Sequence, residues 1–268
     1  MYNYQIQKRA FLIRQINYIK KEPWTAIKHL SLRLFQTAIE SLVILLIVPL
    51  ILILRIIRPF IWIRFGEIRS DVIGHSVTDP EFYLSEREVE KFKTFDCFYF
   101  QTKKFPNEQW SKMVQEHLRI NPLFRLFDKS NKLIYGGKLL HKATNVTSSR
   151  DPKGYLARTK PHFSFTNEEN LTGLQFIESL GIVSRDQFIC LIVRDSAYKE
   201  KYQNSYNRID WSKHNYRDSD IDTYKEAALA LVDKGYWIFR MGKVVNDAFM
   251  ADHPHIIDYA LSPHRSDF

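Results

Sequence analysis

Residues 41–54, SLVILLIVPLILIL, carry no charge, and this run limits what the chain can fold into more than any other feature. Such a run must be covered by protein or by lipid. Forty residues precede it and no small-residue cleavage site follows, which argues against a secretory signal. Its 14 residues fall short of the ~20 that cross a bilayer comfortably. Counting from Thr37 to Ile57 gives 21, but only by admitting Glu40 and Arg55. Pro49 removes one backbone hydrogen bond from the middle and predicts a kink.

Three placements stay open: a single transmembrane helix, a kinked, re-entrant or interface-lying helix, and a buried core helix. RIIRPFIWIRF prolongs the apolar character to Phe65, and both flanks are basic, so the positive-inside rule gives no orientation. A single span with a cytoplasmic body would leave the basic residues 1–36 outside. That conflict favours a helix that enters the membrane, bends at Pro49 and returns. Residues 4–36 are expected to be helical and to lie along the bilayer surface, with Ile6, Phe11, Leu12, Ile16 and Ile19 on one side.

The charge is equally local. Residues 1–70 hold eleven Lys/Arg against Glu22, Glu40 and Glu67, 11 − 3 = +8, and the rest holds 28 against 27, or +1. A nucleic-acid-binding body would spread its cations over a folded face, so nucleic acid is excluded as a partner. Anionic membrane lipid is the partner this distribution fits. Cys97 and Cys190 are too few for a disulfide framework, and Cys190, inside an apolar run, is expected to be buried; both facts point to a reducing compartment.

Beyond Phe65 the signals become those of an α/β protein. Residues 71–75, DVIGH, read as a short stretch opening a glycine turn, and Asp79-Pro80 as the start of a helix. Residues 95–102 are a strand candidate and 106–120 a helix, while 121–175 read as loops and short helices. From Asn170 a helix stopping at Gly181, a buried strand QFICLIVRD, a polar loop, a helix ending at Gly235 and a second strand YWIFRMG follow in order. HIIDYAL supplies a third short strand. This order spells a βαβ unit with parallel pairing.

The strand-end residues carry the chemistry. Open α/β sheets bind ligands beyond the carboxyl ends of their strands. Two strands end in arginine, at Val193-Arg194-Asp195 and at Phe239-Arg240-Met241-Gly242. Two guanidinium forks there would suit a diphosphate, with Gly242 allowing close backbone approach. Alternatively, each arginine caps its strand by pairing with Asp195 or Asp258.

RFGEIRSDVIGHSVTDPEFYL, CLIVRDSAY, NYRDSDIDTYKEAALALVDKGYWIFRMG and IIDYALSPHRSDF together resemble a family of bacterial glycosyltransferases of surface-polysaccharide biosynthesis. The resemblance runs from about Ile47 to the last residue. It implies GT-B-like architecture, with Rossmann-like domains at 66–180 (acceptor side) and 181–268 (donor side) behind a membrane-associated segment at 1–65. It implies that Arg194 contacts the donor diphosphate, as in the fucosyltransferase-like branch, with Asp195, Ser196 and Tyr198 shaping the loop. Arg240 and Gly242 would flank the pocket, and Gly74 and His75 would face it across the cleft.

The implied reaction moves a sugar from a nucleotide-sugar to a glycan or lipid-linked acceptor at the cytoplasmic face of the bacterial plasma membrane. It needs a base, for which His75 and Asp195 are candidates, and positive charge on the leaving diphosphate. His75 could equally be a structural turn residue. No metal or other cofactor is expected: Asp220 in RDSDID reads as a helix N-cap, and His253 and His255 lack a third ligand. The sequons Asn145-Val146-Thr147 and Asn170-Leu171-Thr172 carry no meaning in that compartment. The family pattern continues beyond Phe268, so the donor domain is expected to be incomplete and the chain truncated. Two non-enzymatic readings compete: a membrane-tethered nucleotide- or glycan-binding module, and a basic-tailed adaptor for protein partners.

Overall fold

The computed structural model describes residues 23–103, 105–144, 151–183, 186–202 and 212–267. The part of the expected amphipathic helix before Pro23, the sequon at Asn145 and residues 203–211 of the polar loop lie outside them. In chain order the first elements are α1 (Pro23–Ile56), β1 (Trp62–Ile68), α2 (Ile73–Glu90), β2 (Thr94–Phe100), α3 (Glu108–His117) and α4 (Phe124–Leu133). Then come α5 (Tyr155–Arg158), α6 (Asn167–Ser179), β3 (Gln187–Ile192), α7 (Ala197–Tyr202), α8 (Lys225–Val232), β4 (Tyr236–Met241) and β5 (Ile256–Ile257). The protein is mixed α/β, with two small sheets and one long apolar helix near the N-terminus among the described residues.

The chain divides into two compact units: Met1–Glu67, Lys93–Phe100 and Arg119–Ala143 form the first, and Ile68–Phe92, Gln101–Leu118 and Thr144–Phe268 the second. In the first, α1 continues through Pro49 as one helix of 34 residues, so the re-entrant bend expected there does not form. Proline removes a single hydrogen bond, and the turns on either side hold the helix together. β1 lies where the sequence reads as a prolonged apolar tail. Its signature is hidden because Arg64 points inward, 8% exposed, with Nε and Nη2 donating to Asp96 at 2.7 and 2.8 Å and Nη2 to Thr94 at 2.9 Å.

β1 pairs with β2, and single parallel bridges at Phe65–His141 and Phe98–Ile120 widen this sheet on both sides. Ile51, Phe65, Cys97 and Leu140 form its core, with Ile47, Leu54, Phe124 and Phe127 packed around them. Gly66 leaves no space for a side chain: a Cβ would lie 2.6 Å from the Lys142 carbonyl oxygen and 2.8 Å from the Phe98 ring. Gly66→Ala is therefore expected to destabilise the protein by about 1–3 kcal/mol through overpacking. A lower urea midpoint at unchanged slope checks this.

In the second unit, α2 starts at Ile73 and not at Pro80, which corrects the expected glycine turn: Gly74 and His75 sit in the helix's first turn. A proline inside a helix normally orphans the carbonyl four residues earlier. Here that carbonyl, of Ser76, accepts the Trp110 indole N–H at 2.6 Å. The helix runs through its proline because another side chain supplies the missing donor.

β3, β4 and β5 form a parallel sheet with β4 in the centre, Gln187 opposite Tyr236 and Ile192 opposite Met241. β4 is covered on both faces. Ile238 packs with Val232 of α8 and with Phe249, while Phe239 packs with Ile182, Tyr259 and Phe176 of α6. Gly181 and Gly235 stop the two helices at φ of +85° and +89°, the conformation that favours glycine. β3, expected to be buried, is instead the sheet's edge: Phe188 is 47% and Ile192 79% exposed, and Cys190 between them is exposed too. Among the described residues only β4 pairs with it, so an apolar sequence alone does not bury it.

Candidate functional site

The loops after β3 and β4 meet at the carboxyl edge of the three-stranded sheet, and Asp195 joins them. Its Oδ1 accepts the Ala197 N–H at 3.1 Å and its Oδ2 the Asn246 N–H at 2.9 Å, while the Asn246 amide donates to Ser196 Oγ at 3.2 Å. Both carboxylate oxygens of Asp195 are thus used in shaping the loop.

Arg194 is directed differently. Its Nε lies 3.1 Å from Asp218 Oδ1 with the side chain 35% exposed, and its carbonyl accepts the Ser219 N–H at 2.9 Å. Lys199, one turn into the following segment, shares the same field. Burial first, and then the charges of Arg194 and Arg217, hold its amine below the ordinary lysine range, with Asp218 opposing them. The charges of Arg194, Arg217 and Asp218 thus all reach the Lys199 amine, with Arg194 and Asp218 in direct contact. Such a cluster is stabilised by an added anion, and the Arg194 fork suits phosphate oxygens.

Arg240 lies inside β4, opposite Leu191 and not opposite Arg194, and is 1% exposed. Its Nη1 donates to Asp258 at 3.1 Å and its Nη2 to the Asp247 carbonyl at 3.1 Å; Asp258 Oδ2 also accepts the Phe249 N–H at 2.8 Å. Of the two roles open to it, pairing with Asp258 is the one formed, and it braces the loop after β4 from beneath. Gly242 is needed there too, since a Cβ would stand 2.6 Å from Val245 Cγ1.

Tyr198 packs its ring near that of Tyr202 and feels a second group of charges. Burial, the neighbouring Tyr202 and the carboxylates of Asp71, Asp267 and Glu108 push its phenol up to about 12. Asp71 lies two residues ahead of α2, so the loop after β3 and the start of α2 share one electrostatic neighbourhood. His75 faces Asp79 on its own helix, Nδ1 to Oδ1 3.4 Å, and Asp79 is 1% exposed. Gly74 has open space where a side chain would project, so no steric demand explains it.

Asp267 ties the region together. Burial would raise its carboxyl, but Lys243, the Glu108 N–H and Arg265 outweigh that and hold it low. The Arg265 Nε donates in turn to the Gly242 carbonyl at 3.2 Å. Sequence reasoning missed Lys199, Asp218, Asn246 and Asp267. Only Lys199 had a signal, five residues after Arg194 in VRDSAYK; the others are brought in by the fold. Among the described residues no group of three or more His, Cys, Asp or Glu side chains is placed to hold a metal ion. His253 accepts the His255 N–H at its Nδ1, and His255 stacks on Trp237.

Searches of protein-family models, curated proteins and solved structures find no match to this chain.

Proposed function

We propose that the protein is a membrane-associated glycosyltransferase of GT-B-like organisation, taking a nucleotide-sugar donor and a glycan or lipid-linked acceptor. One observation carries this reading: beyond the carboxyl edge of a parallel sheet Arg194 pairs with Asp218, and Lys199 beside it feels the charges of both Arg194 and Arg217, so a donor diphosphate would add favourable negative charge there. In this scheme Arg194 stabilises the leaving diphosphate. Ser196 and Tyr198 shape the loop around it, and Arg240 and Gly242 hold the loops from below. Because both Asp195 oxygens are engaged, His75 is the better base, with buried Asp79 to orient its ring.

The engagement of Asp195 also favours a second reading, a binding module without turnover. Transfer of labelled sugar from UDP-, GDP- or CMP-sugars to a membrane lipid extract separates the two. The transferase reading expects product, and His75→Ala is expected to lower its rate about 100-fold or more while nucleotide binding stays intact. Nucleotide binding with no product from the unaltered chain would favour the module. Product formed equally fast by His75→Ala would remove His75 from the chemistry.

A further inference from the structure

The part of α1 from Ser41 to Leu54 carries no charge, yet the burial of the helix is periodic. Glu40, Val43, Ile44, Ile47, Val48, Ile51, Leu54 and Arg55 are covered or half-covered, whereas Leu42, Leu45, Leu46, Leu50, Leu52 and Ile53 are exposed. This is the spacing of two opposite helix faces. Leu46 is 67% exposed and Ile51 0%.

The covered face is clamped along α4 at both ends and in the middle. Lys129 Nζ pairs with Glu40 at 2.5 Å, Ser130 Oγ donates to the Ile44 carbonyl at 2.8 Å, and Arg55 Nη2 donates to Asn131 Oδ1 at 2.9 Å. The segment from Glu40 to Arg55 covers about 22 Å of helix axis at 1.5 Å per residue. A helix crossing the bilayer over Leu34–Ile56 would therefore draw Asp128, Lys129, Asn131 and Lys132 into the hydrocarbon, where ionic groups are expensive.

We infer that α1 lies in the plane of an anionic bilayer surface, its leucine face in the acyl boundary and α4 on the aqueous side. This rests on the membrane association proposed above and not on sugar transfer. The flanks fit an interface: Trp24, Phe35 and Phe60 are 83%, 65% and 88% exposed, and Arg58 covers Trp62 at 4.4 Å. Charge selects lipid over a second copy of the chain, because a self-contact would set the +8 of residues 1–70 against itself.

The test uses the full chain with exposed Cys190 replaced by Ser, buried Cys97 kept, and one new cysteine at Trp24→Cys or Phe60→Cys, added to phosphatidylglycerol or phosphatidylcholine vesicles. In-plane binding predicts co-sedimentation with the anionic vesicles, and reaction of both positions with an impermeant maleimide added outside. Leu46→Asp is expected to weaken sedimentation at least tenfold with an unchanged unfolding temperature. One position protected until detergent is added would overturn the in-plane placement while leaving membrane association standing. A chain that ignores both vesicles, or that dimerises through Leu46 instead, would overturn membrane association itself.

Discussion

Arg240→Ala is expected to lower stability by about 3–5 kcal/mol, the cost of breaking a buried ion pair and leaving one charge behind. The guanidinium is 1% exposed and joins Asp258 to the Asp247 carbonyl, so its loss frees the loop after β4 as well as the end of β5. At about 2–4 °C per kcal/mol for a chain of this size, the melting temperature falls by roughly 10 °C. Arg240→Lys is expected to recover only part of this, because an ammonium cannot reach both acceptors as a fork does. Arg194→Ala offers the contrast. Its pair with Asp218 is one-third exposed, and the expected loss is under about 1 kcal/mol. The two arginines thus divide into a buried brace inside β4 and a more exposed Arg194 beyond β3, paired with Asp218. Equal and small losses for both would remove the brace.

Asp128→Ala is expected to have an effect of similar size in the first unit, about 3 kcal/mol or more. Its carboxylate is fully buried and accepts from the Tyr99 hydroxyl at 2.8 Å, Lys132 at 2.7 Å and His141 Nδ1 at 2.9 Å. Tyr99→Phe removes one of the three and is expected to cost about 1 kcal/mol. Burial acts to raise the Asp128 carboxyl, yet the bonds from His141, Lys132 and Tyr99 outweigh it and hold it below the ordinary aspartate range. A carboxylate depressed on folding adds stability above its unfolded pKa, and that stability is lost as the pH falls through the folded value. Unfolding followed against pH is therefore expected to show an acid-side loss in the wild type that Asp128→Ala lacks. Parallel acid limbs in the two proteins would contradict this role.

The second unit was the more legible part in sequence. Apolar runs at 187–193 and 236–241, separated by a helix ending at Gly235, announce a parallel βαβ unit, and the pairing of β3 with β4 follows them. Where legibility failed, polar side chains had gone inside. α4 was covered only by the reading of 121–175 as loops and short helices, because Asp128, Ser130 and Asn131, all 0% exposed, share its buried side with Phe124 and Phe127. β1 was masked by inward-pointing Arg64, and the start of α2 by a proline whose orphaned carbonyl is satisfied by Trp110. The same limit applies to the site. Arg194 could be chosen from its strand end, but so could Arg240, and only burial beside Asp258 tells them apart. Asn246 and Asp218 come from loops whose approach no local pattern encodes.

The most direct test of the donor-diphosphate assignment is a thermal-shift titration of the detergent-solubilised protein with UDP-, GDP- and CMP-sugars, run beside Arg194→Ala. A ligand at a hundredfold excess over its Kd adds about 2.7 kcal/mol of stability. An upward shift of several degrees is expected with one nucleotide class, retained in the Leu46→Asp chain and lost in Arg194→Ala. No shift with any nucleotide-sugar, or a shift that survives Arg194→Ala, would contradict that assignment.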